Sequence, residues 1–195
     1  MLFWKGLLYA ASLMMPIGIR AWLPPGSWLE NMFAAVLGGV FPVQAIWFLG
    51  IAVLLAVMLH FSRFGNWIFV TGDNETAARA MGINTSRVKV IVYVGVGLLA
   101  SLVGLIQSLR IESFTANQGV GFERKAIASA VVGGTALTGG IGSVLGIALG
   151  TLTIQIIENG MILLGLPAFG IGAFIGAVVI LFAVLNKYVS RWSSR

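Results

Sequence analysis

Residues 72–84 read Gly72-Asp73-Asn74-Glu75-Thr76-Ala77-Ala78-Arg79-Ala80-Met81-Gly82-Ile83-Asn84, a polar passage in an otherwise apolar chain. Local rules make it a short helix from Asn74 to Met81. Asp73 is a good N-cap, and Glu75 sets negative charge against the positive end of the helix dipole. Glu75 and Arg79 stand four apart with the acid first, the better orientation for an ion pair. Ala77, Ala78 and Met81 fall on one face. Gly82 supplies the left-handed stop, and Thr85 or Ser86 can cap the next helix. About two turns are too few for independent stability. Lying between two hydrophobic runs, the element reads as a docking feature at a membrane surface.

The runs on either side fix the scale. Val43–Phe61 has no Asp, Glu, Lys or Arg, and as a helix it would run about 28 Å against a hydrocarbon core of about 30 Å. Val90–Leu109 is a second span, followed by a polar loop, Arg110–Lys125. Ala126–Ile157 then carries no charge. As one helix it would run about 48 Å, so it must break. Gly139-Gly140-Ile141-Gly142 is the strongest punctuation, giving Ala126–Thr138 and Ser143–Leu164. The first piece is either a short span or a half-helix that dips in and returns. Pro167–Leu185 is the last span, with Lys187, Arg191 and Arg195 as a basic tail. Upstream, residues 6–22 form a marginal span weakened by Pro16, Gly18 and Arg20, read as retained and not as a cleaved signal. Leu23-Pro24-Pro25-Gly26 breaks any helix. Residues 27–42 suit a short helix near the surface, and Pro42 suits the first turn of the next helix.

Composition agrees. The chain has 195 residues, 58% hydrophobic and 9% charged, with 26 glycines and a mean hydropathy of +0.99. Soluble domains carry roughly 25% charged residues. The expected fold is all-α: one polytopic transmembrane domain over residues 1–195, with about five to six spans and a short cytoplasmic helix. The net charge of +6 is what cytoplasmic loops of membrane proteins carry. It does not indicate nucleic acid, since no basic run interleaves with aromatics. Arg63, Arg87 and Lys89 place residues 62–89 in the cytoplasm, and the basic tail belongs there too. Returning to the same side takes an even number of crossings, which requires 126–138 to cross.

Cysteine is absent, which excludes disulfides, thiol catalysis and cysteine metal sites. His60 is the only histidine and reads as a surface residue at a helix end. Gly134 and Gly139 lack the Lys-Ser/Thr that completes a phosphate-binding loop. No acid, base and nucleophile stand together, so no catalytic residue, metal or cofactor is expected and the chain has no means of hydrolysing ATP. Gly142, Gly146 and Gly150 line one face of the 143–164 helix, where small residues allow close helix packing. Gln155, Glu158 and Asn159 share a face of the same helix. Polar groups within a span are costly and mark functional sites by default, so they are candidates for a substrate path, against the alternative of an interfacial residue or an interhelix hydrogen bond.

Gly72, Asn74, Ala77, Ala78, Arg79, Gly82 and Ile83 form a pattern that resembles the coupling-helix motif of ABC-importer permease subunits serving ribose, xylose and similar sugars. A second match runs through Ala126-Ile127-Ala128, Val132-Gly133-Gly134-Thr135 and Gly139-Gly140-Ile141-Gly142-Ser143. The resemblance covers most of residues 43–190. Family members usually run to about 300 residues or more, and this chain begins near their middle, as if shortened at its N-terminus. The resemblance implies a multi-pass permease of the bacterial inner membrane that moves a monosaccharide or related polyol and is no enzyme itself. A separate ATPase would grip the short helix through Gly72, Asn74, Glu75, Ala77, Ala78, Arg79, Met81 and Gly82. Other implied partners are a second permease subunit, as homo- or heterodimer, an extracytoplasmic sugar-binding protein and membrane lipid. The Gly142/Gly146/Gly150 stripe would then pack helices within one subunit or join two. The rival readings are a branched-chain amino-acid permease, a non-transporting remnant or accessory protein, and a secondary transporter. The wording Gly133-Gly134-Thr135 favours sugars.

Overall fold

A computed structural model describes residues 2–12, 15–19, 24, 26–115 and 118–193. Arg20, Leu23, Pro25 and Arg195 of the sequence reading lie outside the described residues. The helices are α1 Leu2–Ser12, α2 Trp28–Phe33, α3 Val43–Phe61, α4 Arg63–Asp73, α5 Glu75–Ala80, α6 Thr85–Ile111, α7 Phe122–Val132, α8 Val144–Leu163 and α9 Ala168–Ser193. Sheet among the described residues is confined to two-residue pairings. The architecture is a helical membrane bundle, as composition requires. By length and composition α3, α6 and α8 can each cross a membrane, and α9 carries a shorter apolar stretch, Gly170–Val184.

The backbone forms two compact units. The first comprises residues 1–51 and 92–120. In it Ile17–Gly18 pairs antiparallel with Ser113–Phe114, and the Ile19 amide donates to the Glu112 carbonyl at 3.0 Å. The short helix expected within residues 27–42 is α2. Ser27 Oγ accepts from the Glu30 amide at 3.4 Å, and Glu30 Oε2 accepts from the Gly26 amide at 2.9 Å. The first bond satisfies a donor that the helix start leaves free, and the second ties Gly26, the residue before the cap, back onto the first turn. Trp47 stacks on Phe33 with centroids 5.2 Å apart, and its indole donates to the Met32 carbonyl at 2.9 Å.

The second unit comprises residues 52–91 and 121–195. Its core joins Ala128 of α7, Ile154 of α8, and Ile171 and Ile175 of α9. Here the break in the long apolar run differs from the expected one. The helix before the break spans Phe122–Val132, not Ala126–Thr138. It starts earlier because Phe122-Glu123-Arg124-Lys125 makes a serviceable first turn. It ends earlier because Gly134, at φ +83, is the true stop. The Gly134 amide donates to the Val131 carbonyl at 3.0 Å and the Thr135 amide to the Ala130 carbonyl at 2.9 Å. That double closure is a Schellman end, which selects glycine. Gly139-Gly140 instead forms the turn of an eleven-residue connection to α8.

With 11 residues, α7 is about 16 Å long, half of what a span needs. It lies antiparallel on α8 from the level of Glu158 to that of Gly146: Lys125 Nζ meets Glu158 Oε1 at 2.6 Å, and a Cβ on Gly133 would overlap the Gly146 carbonyl. So the passage 126–138 holds a half-length helix, yet α7 with its connection covers most of the depth of α8. The even-crossing requirement is compatible with this arrangement, although no full helix makes the crossing.

Gly146 and Gly150 explain the seating. A Cβ on Gly150 would overlap the Ser129 carbonyl oxygen and sit 2.8 Å from the Gly133 nitrogen. Their face of α8 is therefore covered by α7 within the chain, while Gly142 lies against Thr135. Gly150→Ala is expected to lower stability in detergent by about 1–3 kcal/mol through overpacking. Gly160→Ala, whose Cβ would meet nothing within 4 Å, is the comparison. Equal thermal unfolding midpoints for the two variants would refute the close packing.

Candidate functional site

The polar passage 72–84 folds as expected in outline and differs in its caps. The N-cap is Asn74, whose Oδ1 accepts from the Ala77 amide at 3.0 Å. Asp73 is instead the last residue of α4. The α4 helix runs almost directly into α5, and the extended Asn74 is the one residue between them. At the other end Gly82, at φ +81, closes a Schellman motif. Its amide donates to the Arg79 carbonyl at 2.9 Å and that of Ile83 to the Ala78 carbonyl at 3.0 Å. The following helix is capped by Asn84, whose Oδ1 accepts from the Arg87 amide at 3.1 Å. Thr85 is drawn off into a different role.

That role is in a cluster around Glu75. Its Oε1 accepts from Arg79 Nη2 at 2.7 Å and from Thr85 Oγ1 at 3.1 Å, and its Oε2 accepts from Lys89 Nζ at 2.7 Å. Arg79 Nε donates to Thr85 Oγ1 at 3.0 Å. The expected Glu75–Arg79 pair thus forms, and the carboxylate also reaches the first turns of α6. Thr85 is buried. Neither Lys89, fourteen residues away, nor Thr85 was identified from sequence spacing. A helix-to-helix ion pair leaves no local periodicity to find.

Ala78 is fully buried. This corrects the expected shared face of Ala77, Ala78 and Met81. Ala78 points into the chain, whereas Thr76, Ala77, Ala80 and Met81 are exposed, and Met81 is 62% exposed. The outward face of α5 is therefore Thr76, Ala77, Ala80 and Met81, with the charged side bound to α6. Arg79 is exposed but committed to Glu75 and Thr85.

The second candidate group divides. Gln155 Nε2 donates to Asn159 Oδ1 at 3.4 Å, and both side chains are exposed. Glu158 turns away from them to Lys125 on α7. Its Oε1 takes the ammonium, and its Oε2 is buried without a hydrogen-bond partner among the described residues. Glu158 is thus an interhelix ion-pair residue of the α7–α8 hairpin. His60 Nδ1 lies 3.1 Å from the Ala56 carbonyl of its own helix. No group of His, Cys, Asp or Glu suited to a metal occurs among the described residues.

Hydrogen bonds from Lys89, then from Arg79 and Thr85, hold the Glu75 carboxyl down at about 2. A group with its folded pKa depressed below 4.5 contributes stability above that value and loses it as pH falls towards 2. The cluster should therefore stay ionised and closed throughout pH 5–8. A carboxyl-carbon NMR titration of Glu75 should give a midpoint near 2 in the native chain. In Lys89→Met the midpoint should rise towards the ordinary carboxylate value. An unchanged midpoint would remove Lys89 from the cluster.

A family model described as branched-chain amino acid transport system / permease component matches residues 6–186. The ribose import permease protein RbsC of Escherichia coli (strain K12) is 45% identical over 141 residues, 72% of this chain and 44% of that protein. RbsC of Bacillus subtilis (strain 168) is 42% identical over 144 residues, 74% of this chain and 44% of that protein. The xylose/arabinose import permease protein XylH of Sulfolobus acidocaldarius is 37% identical over 161 residues, 80% of this chain and 45% of that protein. The chain thus spans a little under half the length of these relatives. No solved structure matches it.

Proposed function

This chain belongs to the family of permease components of the branched-chain amino acid transport system type, and on that premise we propose that it is membrane-spanning machinery of an ATP-driven importer for a monosaccharide. The observation that carries the reading is α5: a two-turn helix held from behind by its charged side, with Thr76, Ala77, Ala80 and Met81 turned outward. An ATPase subunit would seat on Thr76, Ala77, Ala80 and Met81, and its closure would move α5 and the helices bound to it. The chain supplies a path and a lever. ATP hydrolysis belongs to the partner. The remaining partners in this reading are a second permease subunit and an extracytoplasmic sugar-binding protein, and the setting is a bacterial inner membrane. Gln155 and Asn159, exposed on α8, are the candidates for contact with sugar hydroxyls along the path.

The names of the relatives favour ribose, xylose or arabinose as the kind of cargo. The family's own description names branched-chain amino acids, which keeps a second cargo class open to test. Uptake assays of the complete transporter with labelled pentose and labelled leucine separate the two. Leucine uptake without pentose uptake would transfer the assignment to amino acids.

The lever is tested at two neighbouring alanines. Ala77→Trp should abolish co-purification of the ATPase while leaving membrane insertion and thermal stability unchanged, because Ala77 is exposed. Ala78→Trp should instead destabilise the chain by about 1–3 kcal/mol or more, because it overpacks a closed interior site. Undiminished ATPase recovery and coupled hydrolysis in Ala77→Trp would remove α5 from the docking surface. The absence of cysteine also allows single-cysteine labelling. Thr76→Cys should react with an impermeant thiol reagent only after the membrane is opened, and Ser113→Cys should react from outside. Labelling of Thr76→Cys from outside would invert the topology.

A further inference from the structure

The two stretches of sequence that drew the family resemblance are separate in the chain, and they meet in space where Gly72 and Gly139, 67 positions apart by their numbering, come together. A Cβ on Gly72, at the end of α4, would stand 2.9 Å from the Gly140 nitrogen. A Cβ on Gly139 would overlap the Gly72 carbonyl oxygen and lie 3.3 Å from the Gly72 Cα. A Cβ on Gly140 would fall 2.7 Å from the Asp73 Cβ and 3.0 Å from its Cα. The contact of Gly72 with Gly139 and Gly140 is therefore backbone on backbone, with the Asp73 side chain bordering Gly140. On one side it sits at Gly72 and Asp73, the two residues before the N-cap of α5. On the other it sits in the turn that joins α7 to α8.

We propose that Gly72, Gly139 and Gly140 form the joint through which displacement of α5 reaches the α7–α8 hairpin. The argument is steric. Backbones in direct contact have no side-chain rotamer to absorb a shift, so a movement of the α4–α5 corner must move the turn. The turn is itself braced, since the Ala136 amide donates to the Ile141 carbonyl at 3.0 Å and the Gly139 amide to the Ala136 carbonyl at 3.1 Å. Its two ends continue into helices packed together through Gly133, Gly146 and Gly150. The α7–α8 pair would thus respond as one body. The outward polar pair Gln155–Asn159 rides on α8, so the joint links the docking helix to the wall of the path.

This inference rests on the reading of α5 as the ATPase-docking helix, and the experiment keeps the two apart. Gly139→Ala and Gly134→Ala carry the same backbone strain, since both glycines have positive φ, +94 and +83. Only the first places a Cβ against Gly72; a Cβ on Gly134 meets nothing within 4 Å. In the complete transporter both variants should retain the ATPase, because neither residue lies on the outward face of α5. Substrate moved per ATP hydrolysed should fall about ten-fold or more in Gly139→Ala relative to Gly134→Ala, within the range of ordinary coupling between sites. Equal ratios in the two would overturn the joint. Failure of the wild-type chain to bind an ATPase through α5 would defeat the docking reading alone. The joint is then judged on this chain by itself in lipid nanodiscs, by amide hydrogen exchange over 75–83. Gly139→Ala should speed exchange there by about ten-fold over Gly134→Ala, as expected when a local brace is lost. Matching exchange in the two would overturn it.

Discussion

The seating of a half-length helix against a full one is the constraint on which the second unit depends. In hydrocarbon no hydrophobic drive holds two helices together, so van der Waals contact and polar pairing must do it. At 11 residues α7 is too short to cross a bilayer alone, and wherever such a helix lies within one its ends must be satisfied inside protein. Glycine meets the first demand: with Gly146 and Gly150 facing Ser129 and Gly133, the two backbones approach until they touch. The Schellman closure at Gly134 meets the second demand at one end. The Lys125–Glu158 pair ties the other end, with both side chains largely enclosed. Removing either partner would leave a charge in a poorly solvated place, which is far costlier than never having placed it there. The pair therefore fixes the register of α7 along α8 more than it adds stability.

The α5 helix obeys a different logic, because its ionic contacts are exposed on the chain. Six residues of helix have no stability of their own. The α5 helix persists because each end is closed by its own chemistry and one side is bound. Asn74 caps the start, Gly82 closes the finish, and Glu75 gathers Arg79, Thr85 and Lys89. With Ala78 buried behind it, the helix becomes an extension of α4 and α6 and ceases to be a loop. Exposed ion pairs are weak and screened by salt. Their value here is orientational: three donors on one carboxylate leave it a single position, and so leave α5 a single rotation.

Much of this was legible in the residues. Apolar run lengths gave the limits of α3 without error and those of α8 to a residue at each end. Gly82 announced the end of α5. What was misread shares a cause. Asp73 and Asn74 are equally good caps by type, and only the path of α4 decides that Asp73 is still helical. Gly133-Gly134 and Gly139-Gly140 are equally good breaks by type. Their order is settled by the two hydrogen bonds that a stop at Gly134 gains from the preceding turn. Ala77 and Ala78 are identical in composition, and burial separates them. In each case sequence named the right residue types within a few positions, and tertiary contact chose among them. Glu158 shows the same limit: an interhelix hydrogen bond was one of its two readings, but the partner that makes it, Lys125, lies thirty-three residues away. Nothing local encodes a partner across a hairpin.

The two attachments of α5 differ in kind, and the difference bears on how motion could pass through them. The Glu75 cluster is made of side chains, three of them long, and a side-chain contact is softer than a backbone one. It can hold an orientation, and it yields under load. The contact of Gly72 with Gly139 and Gly140 has no side chain in it. Displacement across it is resisted by the repulsive wall between backbone atoms, which rises far more steeply than any ion pair weakens with distance. A lever needs both: a compliant clamp that sets its angle, and a hard contact that carries its stroke. The clamp leads to the first turns of α6, and the hard contact to the turn between α7 and α8. Push on α5 would then be divided unequally, with the α7–α8 hairpin taking the displacement and α6 serving as the hinge side. The glycines at 133, 146 and 150 make a like backbone contact inside the hairpin, so under the proposed coupling a displacement of the turn would be passed along α7 and α8 together.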